Sequence, residues 1–497
     1  MIEVELKFQL PENKKKSVLQ ALKAKTAEKI RLQAKYYDTP DRLLAQQHVA
    51  LRLRLEGQEW VQTFKASGKT HLERIECEVK IGKSNAEPEI DLSLFQAYPE
   101  VMQRLQAVLG DQAKTLSMQF KTDVQRTYRV VEVDGTHIEI CLDDGEVSTP
   151  ERAEKICEVE FELKSGSAET LILFTQEWVK KYKLWLDVRS KAERGNLLAT
   201  NQKTSPATKA KALVLDKKMS NDMALRQMIG NALAQLLPNA AFIAEDIAAP
   251  EHIHQARVAI RRMRSALKTF GRWSSDVDTS WEAALGDLQR ELGVSRDQDV
   301  LRDEILPKLV ESGAPFKSLP KEKYGQLKAY QTFEKPEHVC LLLQLLAFSI
   351  HNGKSSKKKN LKKQASDTLD RLLKKIIQDA SKFASLKTEQ RHRLRKRAKR
   401  LRYSIEFVSG LYKSKRVSLY LSQLQSIQEI LGDYNDMHMT ETYFEALTTD
   451  DPTYWFAVGW SRGQQSQLIK DASEQLERFR QQPSFGRPNR ARLLSKT

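Results

Sequence analysis

Three charged side chains alternate along the first ten residues of the chain, MIEVELKFQL. Successive side chains of an extended strand point to opposite faces, so Glu3, Glu5 and Lys7 would share one face. Carboxylates at this spacing suit a hard divalent cation, and the lysine beside them suits an anion bound to that cation. The same alternation is also typical of an ordinary solvent-facing strand, so the other strands must decide between the two interpretations.

The alternation recurs in about eight strand-like segments of residues 1–200, with charge on one face and Leu, Val, Ile or Phe on the other. Eight antiparallel strands with an apolar, helix-covered outer face and a charged inner face form a closed barrel with a polar interior. We therefore predict an α+β domain, an eight-stranded antiparallel tunnel barrel with outer helices. The helices are predicted at about 12–25, 92–109 and 168–183.

Charges inside such a barrel must be compensated, because an unpaired buried ion costs several kcal/mol. The acids Glu3, Glu5, Glu158 and Glu160 offer the oxygen ligands that Mg²⁺ or Mn²⁺ prefers. Glu78 and Glu162 fit the same spacing and are secondary candidates. The basic side chains that could surround a chain of phosphates are Lys7, Arg52, Arg54, Lys65, Arg126, Lys191 and Arg194.

Six motifs of this region occur in a characteristic order. They are EVELK at 3–7, YYDTP at 36–40, LRLR at 51–54, TFK ending at Lys65, CEVEFE at 157–162 and SKAERG at 190–195. Together they resemble the CYTH, or triphosphate tunnel metalloenzyme, family across essentially all of 1–200. The resemblance implies hydrolysis or transfer at a triphosphate held inside the tunnel by two divalent metals, Mg²⁺ or Mn²⁺.

The resemblance also implies roles for single residues. Glu3, Glu5, Glu158 and Glu160 would be metal ligands, and the seven basic residues named above would bind phosphate oxygens. Glu3, Glu5 and Lys191 would form the catalytic group, with Lys191 assisting the leaving phosphate. Which carboxylate orients the attacking water stays open.

The net charge of +17 is concentrated in the second part of the chain: residues 1–200 carry −1 and residues 201–497 carry +18. A basic surface predicts a polyanionic partner, which could be nucleic acid, membrane phosphate or polyphosphate. Residues 201–219 are rich in Ser, Thr and Lys and are typical of a linker. Beyond them the apolar period becomes about 3.6, which predicts an all-α domain at 220–480 followed by a basic tail at 481–497.

A basic helix pattern occurs twice in the all-α domain. The segment HQARVAIRRMR at 254–264 is echoed by HRLRKRAKRLR at 392–402, with five matching positions 138 residues apart. A second echo joins LGVSRD at 292–297 to LGDYND at 431–436. Positions 0, 3, 7 and 10 of a helix share one face, which gives two basic stripes. The stripe residues are His254, Arg257, Arg261 and Arg264 in the first copy and His392, Arg395, Lys399 and Arg402 in the second.

One such stripe would be typical of a solvated face, whereas the duplication favours two helices that face each other across a basic groove. Like charges repel, so the groove makes physical sense if a polyanion fills it. This part resembles the CHAD family, the conserved-histidine α-helical domain, over about 220–480. The resemblance implies two similar four-helix bundles whose eight stripe residues bind long-chain inorganic polyphosphate.

CYTH followed by CHAD on one chain resembles the bacterial two-domain inorganic triphosphatases. This implies a metal-dependent enzyme that hydrolyses inorganic tripolyphosphate to pyrophosphate and phosphate. Two alternatives stay open. The barrel could belong to an adenylyl cyclase, thiamine triphosphatase or nucleoside triphosphatase of the same superfamily, although no stretch reads as a base-recognition pocket. The chain could also be a non-catalytic scaffold for polyphosphate or RNA.

Composition restricts the partners and the compartment. Nucleic-acid surfaces usually interleave aromatic with basic residues, and the stripes offer little besides Tyr403, which favours a bare phosphate chain over nucleic acid. No apolar run reaches about 18 residues, and the start lacks a signal-sequence pattern, so we expect no membrane partner. The four cysteines lack metal-ligand spacing, which suits a reducing compartment, and we expect a cytoplasmic protein.

Overall fold

The computed structural model describes residues 2–22, 27–68, 73–84, 86–293, 300–319, 329–351, 360–482 and 485. The chain forms two compact units. The first comprises Met1–Lys209, Leu233–Ala256 and Ala329–Ile350, and the second comprises Ala210–Ala232, Arg257–Lys328 and His351–Thr497.

The first unit contains one antiparallel sheet that closes on itself. The strands of the described residues are β1 (Ile2–Gln9), β2 (Glu28–Asp38), β3 (Val49–Glu56), β4 (Glu59–Ser67), β5 (Glu73–Gly82), β6 (Ser117–Val133), β7 (Thr136–Ser148), β8 (Ala153–Ser165) and β9 (Trp185–Leu186). Their order is β5-β4-β3-β2-β6-β7-β8-β1-β9, and an additional pairing of β1 with β5 closes the barrel. The predicted eight-stranded antiparallel barrel is confirmed, and the short β9 extends it at the edge of β1.

Helices cover parts of the outer barrel surface, as the apolar outer faces of the strands predict. The helices of the barrel region are α1 (Lys15–Leu22), α2 (Leu43–Gln46), α3 (Pro99–Leu109), α4 (Ala168–Tyr182) and α5 (Lys191–Ala199). Phe161 of β8 packs edge-on against Trp178 of α4, with ring centroids 5.4 Å apart. On another side Phe64 and Leu105 share one buried cluster. Each such side chain contributes about 1.5–3 kcal/mol when it is fully buried.

Helix α5 fills part of the barrel interior with apolar contacts. Tyr36 of β2 and Phe120 of β6 stack there with ring centroids 4.6 Å apart, and Ala192 and Leu198 of α5 pack against the cluster that contains them. Gly195 of α5 lies so close to Phe120 that an added Cβ would stand 2.1 Å from ring atom Cε2. A glycine is therefore required where the helix meets the stacked rings.

The rest of the chain is helical, which confirms the predicted all-α domain. Its described α-helices are α6 (Asn221–Ala244), α7 (Pro250–Phe270), α8 (Trp281–Glu291), α9 (Leu306–Glu311), α10 (Ala329–Glu334), α11 (Pro336–Ile350), α12 (Leu361–Ala380), α13 (Thr388–Val408), α14 (Ser414–Glu445) and α15 (Trp455–Arg480). Helices α12 to α15 pack in sequence, and α15 also packs on α12, which closes a four-helix bundle. Helices α7 and α13 begin and end 138 residues apart, in agreement with the sequence repeat.

The segment predicted as a linker, 201–219, contains neither helix nor strand. Its backbone is nevertheless tied down within the first unit, because Thr208 exchanges hydrogen bonds of 3.0 and 2.9 Å with the side-chain amide of Asn239. The predicted basic tail, 481–497, lies outside the described residues except for 481, 482 and 485. Across the described stretches of the chain, no helix has the length and hydropathy required to cross a membrane. All four cysteines are free and buried.

The contact between Gly195 and Phe120 generates a stability prediction. Replacing Gly195 with alanine forces the ring or the helix to move, and overpacking of this kind costs about 1–3 kcal/mol. We therefore expect Gly195→Ala to lower the thermal unfolding midpoint by several degrees in differential scanning fluorimetry. Gly463→Ala is the control, because Gly463 lies in α15 with no atom within 4 Å of an added Cβ. That control should be neutral or slightly stabilising, and equal midpoints for both variants would contradict the packing described here.

Candidate functional site

The inner wall of the barrel carries the charged side chains that the sequence predicts. In the register of β1 and β8, Glu5 lies opposite Glu162, Lys7 opposite Glu160 and Gln9 opposite Glu158. Directly opposed residues point to the same face of a sheet, so the two strands present their charges together. The other predicted basic residues come from β3 (Arg52, Arg54), β4 (Lys65), β6 (Arg126) and α5 (Lys191, Arg194).

An acidic group surrounds the first residue of α5. The Lys191 ammonium lies 2.5 Å from Glu158 Oε1, 2.7 Å from Asp143 Oδ2 and 2.8 Å from Glu160 Oε1. One carboxylate oxygen of each acid lies within 4.8 Å of the others. Asp143 and Glu158 are fully buried. Three carboxylates at this separation could share one divalent cation.

Arginine and lysine side chains keep this acidic group ionised. Arg126 donates to Asp143 through Nε and Nη2, both at 2.7 Å, and its Nη2 lies 2.5 Å from Glu160 Oε2. Burial raises the pKa of Asp143, but Arg126 and Lys191 outweigh it and hold that pKa below the usual value. Burial likewise opposes ionisation of Glu160, whose pKa Lys191 and Arg126 hold well below its usual range. Both groups are therefore charged at neutral pH.

Two further predicted cations approach Glu158. Lys7 Nζ lies 3.5 Å from Glu158 Oε2 and donates to the backbone carbonyl of Arg189. Arg194 Nη1 lies 3.6 Å from the same carboxylate oxygen. The structure thus brings together Lys7, Lys191 and Arg194 around one acid, as expected of side chains that line a common interior.

A second mixed-charge group lies around Lys65. Its ammonium is 2.6 Å from Glu3 Oε2 and 3.5 Å from Glu76 Oε1, and Arg52 Nη2 is 3.5 Å from the same Glu76 oxygen. Burial, together with the charges of Glu5 and Glu76, raises the pKa of Glu3 to about 8 although Lys65 opposes the shift. The pKa of Glu76 is lowered, because Lys65 and Arg52 outweigh its burial. The carboxyl groups of Glu3 and Glu76 therefore compete for the Lys65 ammonium, and ionisation is less favourable for Glu3 than for Glu76.

The structure also places the secondary candidates. Glu78 accepts from Arg54 at 3.0 Å and from Arg52 at 3.4 Å, so it belongs to the second group. Glu162 instead pairs with Lys164 at 2.9 Å. The four carboxylates predicted as metal ligands are thereby divided: Glu158 and Glu160 are in the first group, while Glu3 and Glu5 lie beside Lys65 in the second.

Two acids of the site were absent from the sequence prediction. Asp143 completes the first group, and its signal was the alternation of Glu139, Cys141 and Asp143 along β7. Glu76 completes the second group and was visible only as one of several charges on β5. Both become recognisable once the register places β7 beside β8 and β5 beside β4.

The two groups are closely charge-paired: they contain seven acids and seven bases, and Glu56 and Glu154 pair with Arg54 and Arg194 in addition. The acids are Glu3, Glu5, Glu76, Glu78, Asp143, Glu158 and Glu160, and the bases are Lys7, Arg52, Arg54, Lys65, Arg126, Lys191 and Arg194. A polyanion that enters an interior whose basic side chains are already paired needs additional cations to compensate its charge. Among the described residues, Oε1 of Glu158 and Oε2 of Glu3 are buried in ion pairs with a lysine ammonium but receive no hydrogen bond of regular geometry. These oxygens fit a divalent cation that takes the place of a lysine contact.

The second unit brings parts of the two basic stripes together. Arg257 and Arg261 of α7 approach Lys399 of α13. The pKa of Lys399 is lowered to about 7 by its burial and by the positive charges of Arg395, Arg261 and Arg257, against the opposing charge of Asp436. Burying several cations beside one another is unfavourable unless an anion joins them, so this cluster is suited to an anionic ligand.

The remaining stripe residues lie outside this cluster or are paired. Arg264 donates to Glu282 at 2.6 Å, and Arg402 donates to Glu406 at 2.9 Å. His392 lies beside His438, with ring centroids 5.4 Å apart, and the sequence prediction did not include His438. His254 is half-buried on α7. Arg296 and Asp297, which belong to the second sequence echo, lie outside the described residues.

Comparison with known proteins places both halves in families. Residues 1–195 match the CYTH domain family and residues 227–445 match the CHAD domain family. An inorganic triphosphatase of Haemophilus influenzae is 33% identical over 170 residues, which cover 34% of this chain and 46% of that protein. The chain spans less than half the length of the curated relatives it matches.

Two solved structures are also similar. The CHAD domain of the plant Ricinus communis is 26% identical, with a TM-score of 0.42, covering 55% of this chain and 97% of that one. A protein of Hippeastrum, described as an adenylyl cyclase with a dominant triphosphatase activity, is 17% identical with a TM-score of 0.29, covering 41% of this chain and 98% of that one. With the two family matches, the closed barrel and the duplicated helical region, the chain belongs to the proteins that join a CYTH domain to a CHAD domain.

Proposed function

We propose that the barrel is a Mg²⁺- or Mn²⁺-dependent inorganic triphosphatase that hydrolyses tripolyphosphate to pyrophosphate and phosphate. The observation that carries the proposal is the charge-paired inner wall, in which carboxylate side chains alternate with lysine and arginine side chains. A wall of this kind attracts neither free cations nor free anions strongly, but it suits a complex of both. The similarity to the Haemophilus influenzae inorganic triphosphatase supports the same reaction class.

The carboxylates proposed to hold the cations are Glu3, Glu5, Glu158 and Glu160, with Asp143 and Glu76 beside them. When bound, a divalent cation supplies a polarised water and neutralises charge on the phosphate oxygens. Glu3 must release its proton for that role, and this proton loss follows from the approach of a second positive charge.

The basic residues then bind and orient the phosphate chain. Arg52, Arg54 and Lys65 would contact phosphate oxygens near the second group, and Lys7, Arg126, Lys191 and Arg194 would do so near the first. Lys191 begins α5 and its three N–H donors face three carboxylates, so a bound cation that takes over one carboxylate would free a donor for a leaving phosphate. Fixed donors of this kind stabilise the charge that develops in phosphoryl transfer without reorganisation.

We further propose that the helical domain binds long-chain inorganic polyphosphate. The cluster of Arg257, Arg261, Arg395 and Lys399 supports this proposal, because it gathers cations from two duplicated helices. A polyphosphate chain offers a negative charge at each phosphate and no base to stack, which fits a groove poor in aromatic residues. The other stripe residues, His254, Arg264, His392 and Arg402, would extend the contact along the chain.

Removal of the two acids on β1 tests the catalytic proposal. Glu3→Ala combined with Glu5→Ala deletes carboxylates of the second group, and we expect kcat/KM for tripolyphosphate to fall by about 100-fold or more. Phosphate release is measured with Mg²⁺, with Mn²⁺ and with chelator. A matched control replaces two exposed barrel-region acids, Glu132 and Glu177, with alanine and should retain activity. Unchanged turnover in the β1 variant would eliminate the metal-site argument, and cyclic AMP formed from ATP would replace hydrolysis by a cyclase reaction.

The shifted pKa of Lys399 generates a prediction for anion binding. Its pKa in the folded chain, about 7, lies below the unfolded value, so the ammonium loses its proton as pH rises through 7. Binding of polyphosphate must then restore this proton, and affinity should fall by up to about tenfold per pH unit above 7. Lys399→Arg stays charged and should flatten the pH profile.

The measurement is polyphosphate binding by the full-length chain between pH 6 and 9 at constant ionic strength. Lys396→Arg is the matched control, because Lys396 is exposed on the same helix. Equal pH slopes for the wild type and Lys399→Arg would contradict the role of Lys399. A parallel titration with RNA at several salt concentrations compares the two polyanions, and preference for RNA would contradict the polyphosphate proposal.

A further inference from the structure

A series of buried polar contacts leads away from the acidic group around Lys191. Gln9 of β1 is 7% exposed, and its amide nitrogen lies 3.3 Å from Glu158 Oε2 and 2.9 Å from Asp187 Oδ2. An ionised carboxylate accepts hydrogen bonds but cannot donate one. Between two such acceptors, Gln9 must present its NH₂ group to both, and the side chain is therefore locked in one orientation.

Asp187 is equally constrained, because every one of its partners donates a hydrogen bond. Its Oδ1 accepts from Arg189 Nε at 3.0 Å and from the Arg189 backbone N–H at 2.9 Å. Its Oδ2 accepts from Arg189 Nη2 at 2.8 Å and from Gln9. Burial raises the pKa of Asp187, but the charges of Arg189 and Lys7 outweigh it, so that pKa lies far below the usual value. Asp187 is a permanent anion that fixes Gln9 on one side and Arg189 on the other.

Arg189 extends these polar contacts to the end of helix α6, within the same compact unit. Its Nη2 lies 2.5 Å from Glu245 Oε1, and its guanidinium lies 4.8 Å from the centre of the Phe242 ring. Glu245 directly follows α6 and falls within the region that matches the CHAD family. Arg189 also offers its backbone carbonyl to Lys7 Nζ.

We infer that Gln9 and Asp187 are positioning residues for Glu158, and that Arg189 with Glu245 anchors them from outside the barrel. This inference rests on the proposed metal-dependent function. Lys7, Lys191 and Arg194 already approach Glu158, and the neutral amide of Gln9 holds the carboxylate in place without adding a fourth positive charge. Residues that orient metal ligands in this way typically change metal affinity or activity by 10- to 100-fold when they are replaced.

Mn²⁺ binding by the full-length chain without substrate tests the inference, with free Mn²⁺ measured by electron paramagnetic resonance. Gln9→Leu keeps the volume of the buried side chain and removes its donor, and we expect Mn²⁺ to bind about 10- to 100-fold more weakly. Gln62→Leu is the matched control: Gln62 is also fully buried in the barrel, but it bonds to the backbone of Asp91. The control should keep wild-type Mn²⁺ affinity even if its thermal midpoint falls.

The contact between Arg189 and Glu245 is tested by Glu245→Gln. This substitution removes one anionic partner of Arg189 and should weaken Mn²⁺ binding less than Gln9→Leu does. Thermal midpoints of all variants are measured in chelator, so that a loss of folding is seen directly. If folded Gln9→Leu keeps wild-type Mn²⁺ affinity, or if Gln9→Leu and Gln62→Leu lose the same amount of Mn²⁺ affinity, the inference is wrong. The proposed function would not be affected by either result. Absence of Mn²⁺ binding by the unaltered chain would overturn the proposed function together with the inference.

Discussion

Charge compensation inside a closed barrel is the constraint on which the first half of this protein depends. An ionised side chain removed from water must find an opposite charge, and the penalty for failing is several kcal/mol per ion. The barrel meets this requirement by alternation: Lys191 stands among three acids, and Lys65 stands between Glu3 and Glu76. Every ligand that enters must preserve the balance. A phosphate chain accompanied by cations does so, whereas either component alone would leave charge uncompensated.

The helical domain also groups charged side chains, but the group around Lys399 contains mainly cations. Around Lys399 the positive charges of Arg257, Arg261 and Arg395 add to the effect of burial and lower its pKa, while Asp436 opposes them. Burial and these neighbouring positive charges disfavour the charged form of Lys399, which is why its pKa is lowered. Neighbouring arginines that lie farther along the stripes, such as Arg264 and Arg402, are satisfied by glutamates.

Sequence alternation was sufficient to predict the barrel, because the face on which a strand residue lies is a local property with a period of two. It also identified the basic residues of the inner wall, since Lys7, Arg126 and Lys191 do meet around the acids of β8. It could not assign acids to separate groups, because that depends on which strands become neighbours. Asp143 and Glu76 were overlooked for this reason. The contact between Gln9 and Asp187 joins residues 178 positions apart, and no periodicity reports such a pairing.

Each compact unit of the fold combines segments that are separated in the sequence. Residues 233–256 and 329–350 belong to the same unit as the barrel, and within it α11 packs on α4. A recombinant fragment ending near residue 200 would expose the surface of α4 that α11 covers, and it would leave Arg189 without Glu245. Exposed apolar surface of this kind promotes aggregation. The two family domains are therefore not separable at the boundary of the family matches, because a truncation there would remove α11 from its packing surface on α4.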